Sequence, residues 1–481
     1  MISLELESFA YDDGAVLADI AFSLGAGERA LVVGASGSGK STLARVLAGQ
    51  LDAGQGHRFV GTLSVAGEQL VFAGSGSDPR IDPAAWAQHV GYVGQRAHAH
   101  LSMVCASVAE EIAFGLANRG VPAERMHVLV DLAAARLGLT DLLERDPRRI
   151  SGGELQRVAI AAAVVGNPAV LVLDEPFKGL DVAGRRDLES LLAALGESGT
   201  AILLFEPMLP RDAGPATRVL VLSGGSMVPV DQDVPGSDDL GRYGVGVEGV
   251  AANSAPLAHA VGEDRIPAIR IRDLSFGYGA EPVLSVADLA VSSGEAVAVL
   301  GPNGSGKSTL LQHLNGLLRP EAGRVQLYGE DLRGRPVGSL ASTVGHLFQD
   351  TDQQLFEHTV LREVAYGPRA AGRSRKEAER CALQALAAVG LADAVHHHPH
   401  DLSFRDRRLV ALASLMATGP RLWVLDEPTV GLDLRGREVL SGLLRRHIRD
   451  GGILMMATHD EVFAQAVCSR MFRLGAAAAA G

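Results

Sequence analysis

Two glycine-rich segments of the chain each contain a lysine followed by hydroxyl side chains. GASGSGKST occupies residues 34–42, and GPNGSGKST occupies residues 301–309. Both fit the pattern GxxxxGK[ST], in which bare backbone N–H groups surround phosphates, the lysine reaches the terminal phosphates and the hydroxyl binds Mg²⁺. The residues predicted to bind nucleotide are Gly34, Ser36, Gly37, Gly39, Lys40, Ser41 and Thr42 in the first segment, and Gly301, Asn303, Gly304, Gly306, Lys307, Ser308 and Thr309 in the second.

Lysine usage argues against a chance match in a chain that contains 57 glycines. Lysine and arginine together number 44, and only four of these residues are lysines. Two of the four, Lys40 and Lys307, occupy the glycine-rich segments. A compact ammonium group fits a phosphate cage, whereas a planar guanidinium does not. The two segments are therefore predicted to be phosphate-binding loops.

Each loop is followed later in the chain by an apolar run that ends in two acidic residues. The first run ends at Asp174 and Glu175, and the second ends at Asp426 and Glu427. Beside a phosphate-binding loop, the first acid of such a pair is suited to hold Mg²⁺. The second is suited to orient a water molecule and accept its proton. Glu175 and Glu427 are therefore candidate catalytic residues.

These motifs require strands that end at the loops and at the acidic pairs. Short apolar runs predict such strands at residues 30–33, 170–173, 201–205 and 296–300. Longer amphipathic stretches between the runs predict helices, and this alternation is typical of a mostly parallel α/β sheet. Because both motifs occur twice in the same order, the chain is predicted to contain two homologous halves.

The predicted boundaries place the first half at residues 1–229, a flexible linker at 230–266, the second half at 267–475 and a low-complexity tail at 476–481. The linker range is rich in glycine, aspartate and proline and lacks a hydrophobic period. The stretch from loop to acidic pair is longer in the first half (34–174) than in the second (301–426). The extra residues of the first half fall within 51–90 and are predicted to enlarge a surface loop.

Composition limits the classes of function. The formal charge of −12 argues against a protein that coats nucleic acid, so no nucleic-acid partner is expected. Hydrophobic residues make up 47% of the chain, which is ample for packed cores. Three widely spaced cysteines predict neither a disulfide framework nor a zinc site, and they fit a reducing cytosol. Neither a secretion signal nor an apolar run of the roughly 20 residues needed to span a membrane is expected.

The segment ISGGE at residues 150–154 lies between the first loop and the first acidic pair. The spacing from its serine, Ser151, to Asp174 equals the spacing from Ser403 to Asp426. With the loops and acidic pairs, these segments resemble the ATP-binding cassette (ABC) family, whose signature is LSGGQ, over nearly all of both halves. The resemblance implies two tandem P-loop ATPase domains, each with a mostly parallel sheet core, an antiparallel β subdomain and a helical signature subdomain. It also implies ATP and Mg²⁺, with the domains paired head to tail so that each ATP lies between one loop and the other signature.

Further positions of this sequence match the family pattern individually. Tyr11 and Tyr278 correspond to the aromatic residue that stacks on adenine, since both precede their loops by the same distance. The other matches are the signature residues Ser151, Gly152, Gly153 and Glu154, the glutamines Gln95 and Gln349, the coupling aspartates Asp181 and Asp433, and the switch histidine His459. The implied catalytic residues are Glu427, His459, Gln349 and Glu175, and the implied Mg²⁺ ligands are Ser41, Gln95, Asp174, Ser308, Gln349 and Asp426.

The second half's signature departs from the family pattern. Phe404 and Arg405 replace both glycines, so side chains project where backbone should contact phosphate, and Asp406 adds a negative charge. When the halves are aligned on their acidic pairs, the first has Pro207 where the second has His459, and proline offers no donor. In a head-to-tail pair both defects fall in one composite site. The sequence thus predicts a competent site, built from the second loop and the first signature, and a degenerate site that binds ATP but hydrolyses it poorly.

A finer resemblance concerns residues 344–368, which contain the segments FQ, QLF, TV and VAYGP. This stretch is similar to that of energy-coupling-factor importers, although the first half lacks the QLF element. The resemblance implies two partners, an integral membrane coupling subunit and a substrate-binding membrane subunit. It also implies a peripheral location at the cytoplasmic face of the cell membrane and a vitamin, a vitamin precursor or a nickel or cobalt ion as cargo.

Other interpretations stay open at this point. One is an ABC transporter ATPase of another branch. Another is a soluble twin-cassette translation factor, although that family has a charged, usually basic linker and two intact signatures. A DNA-repair cassette would need zinc-binding cysteines or a long coiled coil. Four histidines within residues 396–400 could bind Ni²⁺ or Zn²⁺, but they are predicted to form a solvated loop.

Overall fold

The computed structural model describes residues 1–11, 14–51, 57–211, 217–228, 237–249, 267–278 and 281–475. The chain divides into two compact units, Met1–Glu248 and Gly249–Gly481. Most of the predicted linker and the whole predicted tail lie outside the described residues. Among the described residues, no helix combines the length and the apolar character that crossing a membrane requires.

The first unit contains twelve described strands and seven described helices. The strands are β1 (Ile2–Tyr11), β2 (Gly14–Leu24), β3 (Arg29–Val33), β4 (Arg58–Val65), β5 (Glu68–Ala73), β6 (Val90–Val93), β7 (Val170–Asp174), β8 (Ala201–Glu206), β9 (Met208–Leu209), β10 (Thr217–Ser223), β11 (Ser226–Val228) and β12 (Gly246–Val247). The helices are α1 (Lys40–Leu47), α2 (Pro83–Trp86), α3 (Val108–Asn118), α4 (Ala123–Leu137), α5 (Gly152–Val164), α6 (Val182–Glu197) and α7 (Ser237–Gly241).

The second unit repeats this plan with nine described strands and seven described helices. The strands are β13 (Ile269–Tyr278), β14 (Glu281–Val291), β15 (Ala296–Leu300), β16 (Ala322–Leu327), β17 (Glu330–Asp331), β18 (Val344–Leu347), β19 (Leu422–Asp426), β20 (Ile453–Ala457) and β21 (Arg470–Arg473). The helices are α8 (Lys307–Leu314), α9 (Val337–Leu340), α10 (Val360–Ala370), α11 (Arg375–Ala388), α12 (Phe404–Thr418), α13 (Leu434–Arg449) and α14 (Glu461–Val467).

A mostly parallel sheet forms the centre of each unit. The strand order is β11-β10-β3-β8-β7-β6 in the first unit and β18-β19-β20-β15-β21 in the second. All neighbouring pairs are parallel except β10 with β11. The central strands β7, β8, β15, β19 and β20 are buried along their whole length, because helices cover both faces of such a sheet. The runs predicted at 170–173, 201–205 and 296–300 and before Asp426 form β7, β8, β15 and β19, and β20 was not predicted.

Each unit adds an antiparallel sheet and a group of helices. The antiparallel orders are β2-β1-β4-β5 and β14-β13-β16-β17. Helices α3, α4 and α5 pack together in the first unit, as α10, α11 and α12 do in the second. Buried apolar residues form two clusters in each unit, on the two sides of the central sheet. The predicted α/β class, with a parallel core, an antiparallel part and a helical part in each half, is confirmed.

The structure differs from the sequence-based expectation in two places. The extra residues of the first half extend a β-hairpin, since β4 and β5 pair over six positions whereas β16 and β17 pair over two. Residues 237–249 fall in the predicted linker but form α7 and β12, and β12 pairs with β9. Leu240 and Val245 are fully buried in the first unit's core, and this burial holds the segment in place.

Candidate active site

Each glycine-rich loop joins a central strand to a helix. The loops leave β3 and β15, and they end at Gly39 and Gly306, which cap α1 and α8 with φ of 97° and 87°. Only glycine adopts this left-handed conformation without strain. Ser36 and Gly37 form the turn of the first loop, and the equivalent turn of the second contains Asn303 and Gly304. The helix N-termini therefore point their N–H groups into the loops.

The loop lysines fold back over their own loops. Lys40 Nζ donates to the carbonyl oxygens of Gly34 and Ala35 at 2.6 and 2.9 Å. Lys307 Nζ donates to those of Gly301 and Pro302 at 2.8 and 2.9 Å. A Cβ added to Gly37 or Gly304 would have no other atom within 4 Å among the described residues. Each loop thus forms an open cradle with a buried ammonium group at its base, which fits a phosphate chain.

The first acid of each pair is buried beside the loop hydroxyl. Ser41 donates a hydrogen bond to Asp174, and Ser308 donates one to Asp426. Burial, helped by the charge of Glu175, raises the pKa of Asp174 to about 7. Burial also raises the pKa of Asp426 to about 6. Oδ1 of each aspartate has no hydrogen-bond partner among the described residues. A buried carboxylate oxygen that lacks a partner, next to a hydroxyl, fits Mg²⁺, which prefers hard oxygen ligands.

The second acid of each pair adopts an unusual backbone conformation. Glu175 and Glu427 have φ of 52° and 46°, a left-handed region that costs energy for a residue with a side chain. Their N–H groups donate to the strand residues Phe205 and Ala457 at 2.8 and 2.9 Å. The neighbouring strand therefore holds the turn that aims each glutamate away from the sheet and toward the loop.

The surroundings of the two glutamates differ. His459 Nδ1 lies 2.9 Å from Glu427 Oε2. In the first unit, Glu175 accepts a hydrogen bond from Gln95 Nε2 at 2.9 Å and lies 3.5 Å from Lys178 Nζ. Gln95 also donates to Ser41 Oγ at 3.1 Å. The structure therefore gathers the predicted glutamine, hydroxyl and glutamate of the first unit into one cluster and pairs the predicted histidine and glutamate of the second.

Comparison with known proteins decides the family. The ABC transporter family model matches residues 17–178 and 284–430, which together contain both loops and both acidic pairs. The chain belongs to the ABC transporter family. An ABC transporter ATP-binding protein of Bifidobacterium longum is 32% identical to this ABC protein over 98% of the chain. The alignment covers 65% of that relative, so the chain spans about two thirds of its length.

Two further comparisons concern the whole of this ABC protein. A Bacillus subtilis ATP-binding protein named for HMP/thiamine import is 29% identical over 96% of this chain and 87% of its own length. A chain from a solved model of ribosome-bound archaeal Pelota and ABCE1 has 20% identity and a TM-score of 0.69, with 97% of this chain and 76% of that chain covered. At this identity the structural likeness shows the fold alone.

The signature segments of this ABC protein both begin a helix. Ser151 caps α5 by accepting from the Glu154 N–H, and Glu154 accepts from the Ser151 N–H at 2.7 Å. Gly152 and Gly153 follow as the first helical residues and leave the backbone bare. Ser403 caps α12 by accepting from the Asp406 N–H at 3.1 Å. The helix start is thus kept in both units, although the second has lost its glycines.

The two replacing side chains turn toward their own unit. Arg405 Nη1 lies 3.2 Å from Asp433 Oδ2, and Arg405 Nε lies 3.1 Å from Asp406 Oδ1. The Phe404 ring lies 5.9 Å from the guanidinium carbon of Arg408. Acidic neighbours within the second unit therefore hold the Arg405 guanidinium.

The remaining predicted site residues range from fully buried to exposed. Tyr11 is half-buried and its hydroxyl lies 3.4 Å from Thr42 Oγ1, whereas Tyr278 is 56% exposed. Asp181 and Asp433 cap the helices α6 and α13 by accepting from main-chain N–H groups at 2.9 and 2.8 Å. Thr309 is buried in α8. Gln349 follows β18 in the chain, and its side chain is exposed.

Glu206, the last residue of β8, is not among the residues predicted from the sequence. Its side chain is buried and accepts a hydrogen bond from the Phe177 N–H at 3.3 Å. Burial, with the nearby charges of Glu175 and Glu248, raises the pKa of Glu206 well above its usual range. Arg185, which pairs with Glu248, opposes this shift. An acid at the end of the apolar run AILLFE was the available signal, since the internal repeat aligns it with Thr458.

The histidine-rich segment stays at the surface. His396, His397 and His400 are exposed, and His398 Nδ1 accepts from the His400 N–H at 3.2 Å. The described part of the chain contains no group of three or more histidine, cysteine, aspartate or glutamate side chains that could hold a metal ion.

Proposed function

We propose that this chain is the ATP-hydrolysing subunit of a membrane importer of the energy-coupling-factor type, whose cargo is a vitamin, a vitamin precursor or a transition metal ion. Membership of the ABC family supports ATP binding in both units. The segments FQ, QLF, TV and VAYGP support the importer branch. The B. subtilis relative named for HMP/thiamine import also supports it, since the alignment covers most of both chains.

The second unit holds the residues assigned to hydrolysis. Lys307 and Ser308 would bind the phosphate chain, and Ser308, Asp426 and Gln349 would hold Mg²⁺. When bound, Mg²⁺ neutralises negative charge on the transferred phosphate. The Gln349 side chain is exposed. Its carbonyl oxygen accepts from Arg408, which also donates to the carbonyl oxygen of Asp426.

One observation carries the assignment of chemistry to the second unit, namely the 2.9 Å distance between His459 Nδ1 and Glu427 Oε2. In the proposed mechanism Glu427 orients the attacking water and accepts its proton. His459 fixes the carboxylate and donates a hydrogen bond toward the terminal phosphate as charge develops there. Both side chains would act at the terminal phosphate of the nucleotide bound by the second loop.

The first unit is assigned the weaker site. Lys40, Ser41 and Asp174 would bind ATP and Mg²⁺ in the same manner, but Pro207 offers no donor and Lys178 lies 3.5 Å from Glu175. In the proposed head-to-tail pairing this site would face the second signature, which lacks its glycines. Losing one oriented donor typically costs about 10²–10³ in rate, and this site lacks at least two.

The test of the importer assignment is isolation of the full chain from detergent-solubilised membranes. We expect two integral membrane proteins to copurify, one of them small. We propose that residues 344–368 contact these membrane proteins. Phe356 and Tyr366 of this stretch are 61% and 49% exposed, and their ring centroids lie 4.9 Å apart. The double variant F356E/Y366E should lose the membrane proteins, because a charged side chain disrupts an apolar contact.

The control is V71E, which also places a glutamate at an exposed apolar residue, here in the β4–β5 hairpin. It should retain the membrane proteins. Copurification of ribosomal RNA in place of membrane proteins would overturn the importer proposal and favour a soluble twin-cassette factor.

A further inference from the structure

Helix α12 of the second unit carries a buried arginine one turn beyond the altered signature. We propose that Arg408 is a positioning residue for hydrolysis at the second loop, an inference that rests on the proposed function of that unit. Arg408 is 2% exposed and follows the capping residue Ser403 along the same helix. Its side chain runs beneath the strand ends that carry the acidic pair and the glutamine.

The guanidinium donates hydrogen bonds to four main-chain carbonyl groups. Nε donates to Pro428 at 3.1 Å, and Nη1 donates to Gln349 at 3.2 Å. Nη2 donates to Asp426 at 3.2 Å and also to Glu427. These carbonyls belong to two chain segments, one after β18 and one at the end of β19. A single rigid side chain therefore fixes the backbone of the glutamine relative to the backbone of both acids.

The charge of Arg408 makes these contacts strong. Burial lowers the pKa of Arg408 to about 10, so the group remains charged at neutral pH, and the acids Glu427, Asp426 and Asp350 favour the charged form. Hydrogen bonds from a charged donor are about twice as strong as neutral ones. Burying such a charge is costly unless it is hydrogen-bonded. The four carbonyl groups accept from four of the five N–H groups of the guanidinium.

The first unit shows what the arginine adds. Gln156 occupies the equivalent position when the halves are aligned on their acidic pairs, and its Nε2 donates to Pro176, the counterpart of Pro428. An amide donates from one nitrogen, whereas a guanidinium donates from three in a planar fork. The contacts to the glutamine and the acids therefore require arginine. The helix that lost the signature glycines has gained a support for the hydrolytic residues of its own unit.

The experiment compares the variants R408Q and R408K in the full chain. R408Q installs the side chain that the other unit accommodates, and R408K keeps a charge with a smaller donor set. One readout is kcat and KM for ATP. The second, independent of hydrolysis, is the Mg²⁺ concentration at half-maximal binding of a fluorescent non-hydrolysable ATP analogue. Thermal unfolding midpoints report whether each variant is folded.

We expect R408Q to lower kcat by roughly 10- to 100-fold with KM changed less than about threefold, because a displacement of about 1 Å can cost 10²-fold in rate. It should also raise the half-maximal Mg²⁺ concentration several-fold. R408K should lie between R408Q and wild type in both readouts. Folded R408Q with unchanged kcat and unchanged Mg²⁺ dependence overturns the positioning role.

Failure of the proposed function gives a different pattern. If E427Q hydrolyses ATP as fast as wild type, the assignment of catalysis to the second unit is wrong, whatever R408Q does to the rate. The Mg²⁺ dependence of analogue binding still tests Arg408 in that case. An unchanged dependence in R408Q then overturns the inference, and a several-fold increase supports it.

Discussion

The strand that follows each acidic pair in the sheet ends differently in the two units. In the second unit β20 leads to His459, which lies beside Glu427. In the first unit β8 ends in the buried Glu206, and the next residue is Pro207. The loops, the serine–aspartate contacts and the strained glutamates are shared. This difference at one strand end supports the proposal that both units bind nucleotide and that the second unit hydrolyses it.

The largest expected effect comes from substituting the second acid of each acidic pair. E427Q should reduce ATP hydrolysis by at least about 10²-fold, because it removes the proposed general base. E175Q, the matched change in the other unit, should reduce it less than about threefold. Single-turnover assays of both variants, with binding of a fluorescent ATP analogue as a control for folding, make this measurement. Equal loss in the two variants would show that both units hydrolyse ATP.

A second comparison concerns the residues that follow β20 and β8, namely His459 and Pro207. H459A should lower the rate by about 10²-fold, because one oriented donor near the phosphate is lost. P207A removes the equivalent side chain from the first unit and should leave the rate within about twofold of wild type. Steady-state hydrolysis at saturating ATP measures both. A rate in H459A close to that of wild type would break the proposed link between this histidine and Glu427.

The smallest effect is on stability and depends on pH. The folded first unit holds a proton on Glu206 more tightly than the unfolded chain does, since the pKa of Glu206 is raised. Its contribution to stability is therefore full at low pH and is lost as pH rises above the usual glutamate range. Because glutamine does not ionise in this range, the E206Q variant does not lose this stability as pH rises. Its melting temperature should rise relative to wild type between pH 5 and pH 8, by roughly 2–4 °C for each kcal/mol recovered.

The control for this measurement is E144Q, the same substitution at an exposed residue of the same unit. Its melting temperature should follow wild type at every pH. A difference between E206Q and wild type that is constant over this range would mean that Glu206 is charged in the folded state.

Much of the scaffold followed from local sequence patterns. The apolar runs at 201–205 and 296–300 became β8 and β15, because continuous apolar residues of that length suit strands buried on both faces. The loops and the acidic pairs were identifiable because their chemistry depends on residue types at fixed spacing. His459 was identified by the resemblance to the ABC family, and the internal repeat then aligned Pro207 with it.

Other features depend on contacts that local patterns do not encode. Residues 237–249 lack a hydrophobic period, yet Leu240 and Val245 are buried in the first unit's core. The left-handed conformation of Glu427 results from its hydrogen bond to the neighbouring strand. The four carbonyl contacts of Arg408 join segments that are far apart in sequence. Each of these depends on tertiary packing, so sequence spacing gave no direct signal.

The strand pair of β9 and β12 has a practical consequence for dissecting the protein. Expressing the first half alone with its last residue at 229 would remove Leu240 and Val245 from the interior and leave an apolar groove open to solvent. It would also remove Glu248, the ion-pair partner of Arg185, and this ion pair lies close to Glu206, the buried acid of β8. A stable fragment must therefore extend through residue 249, and truncation before α7 is expected to give an aggregation-prone product.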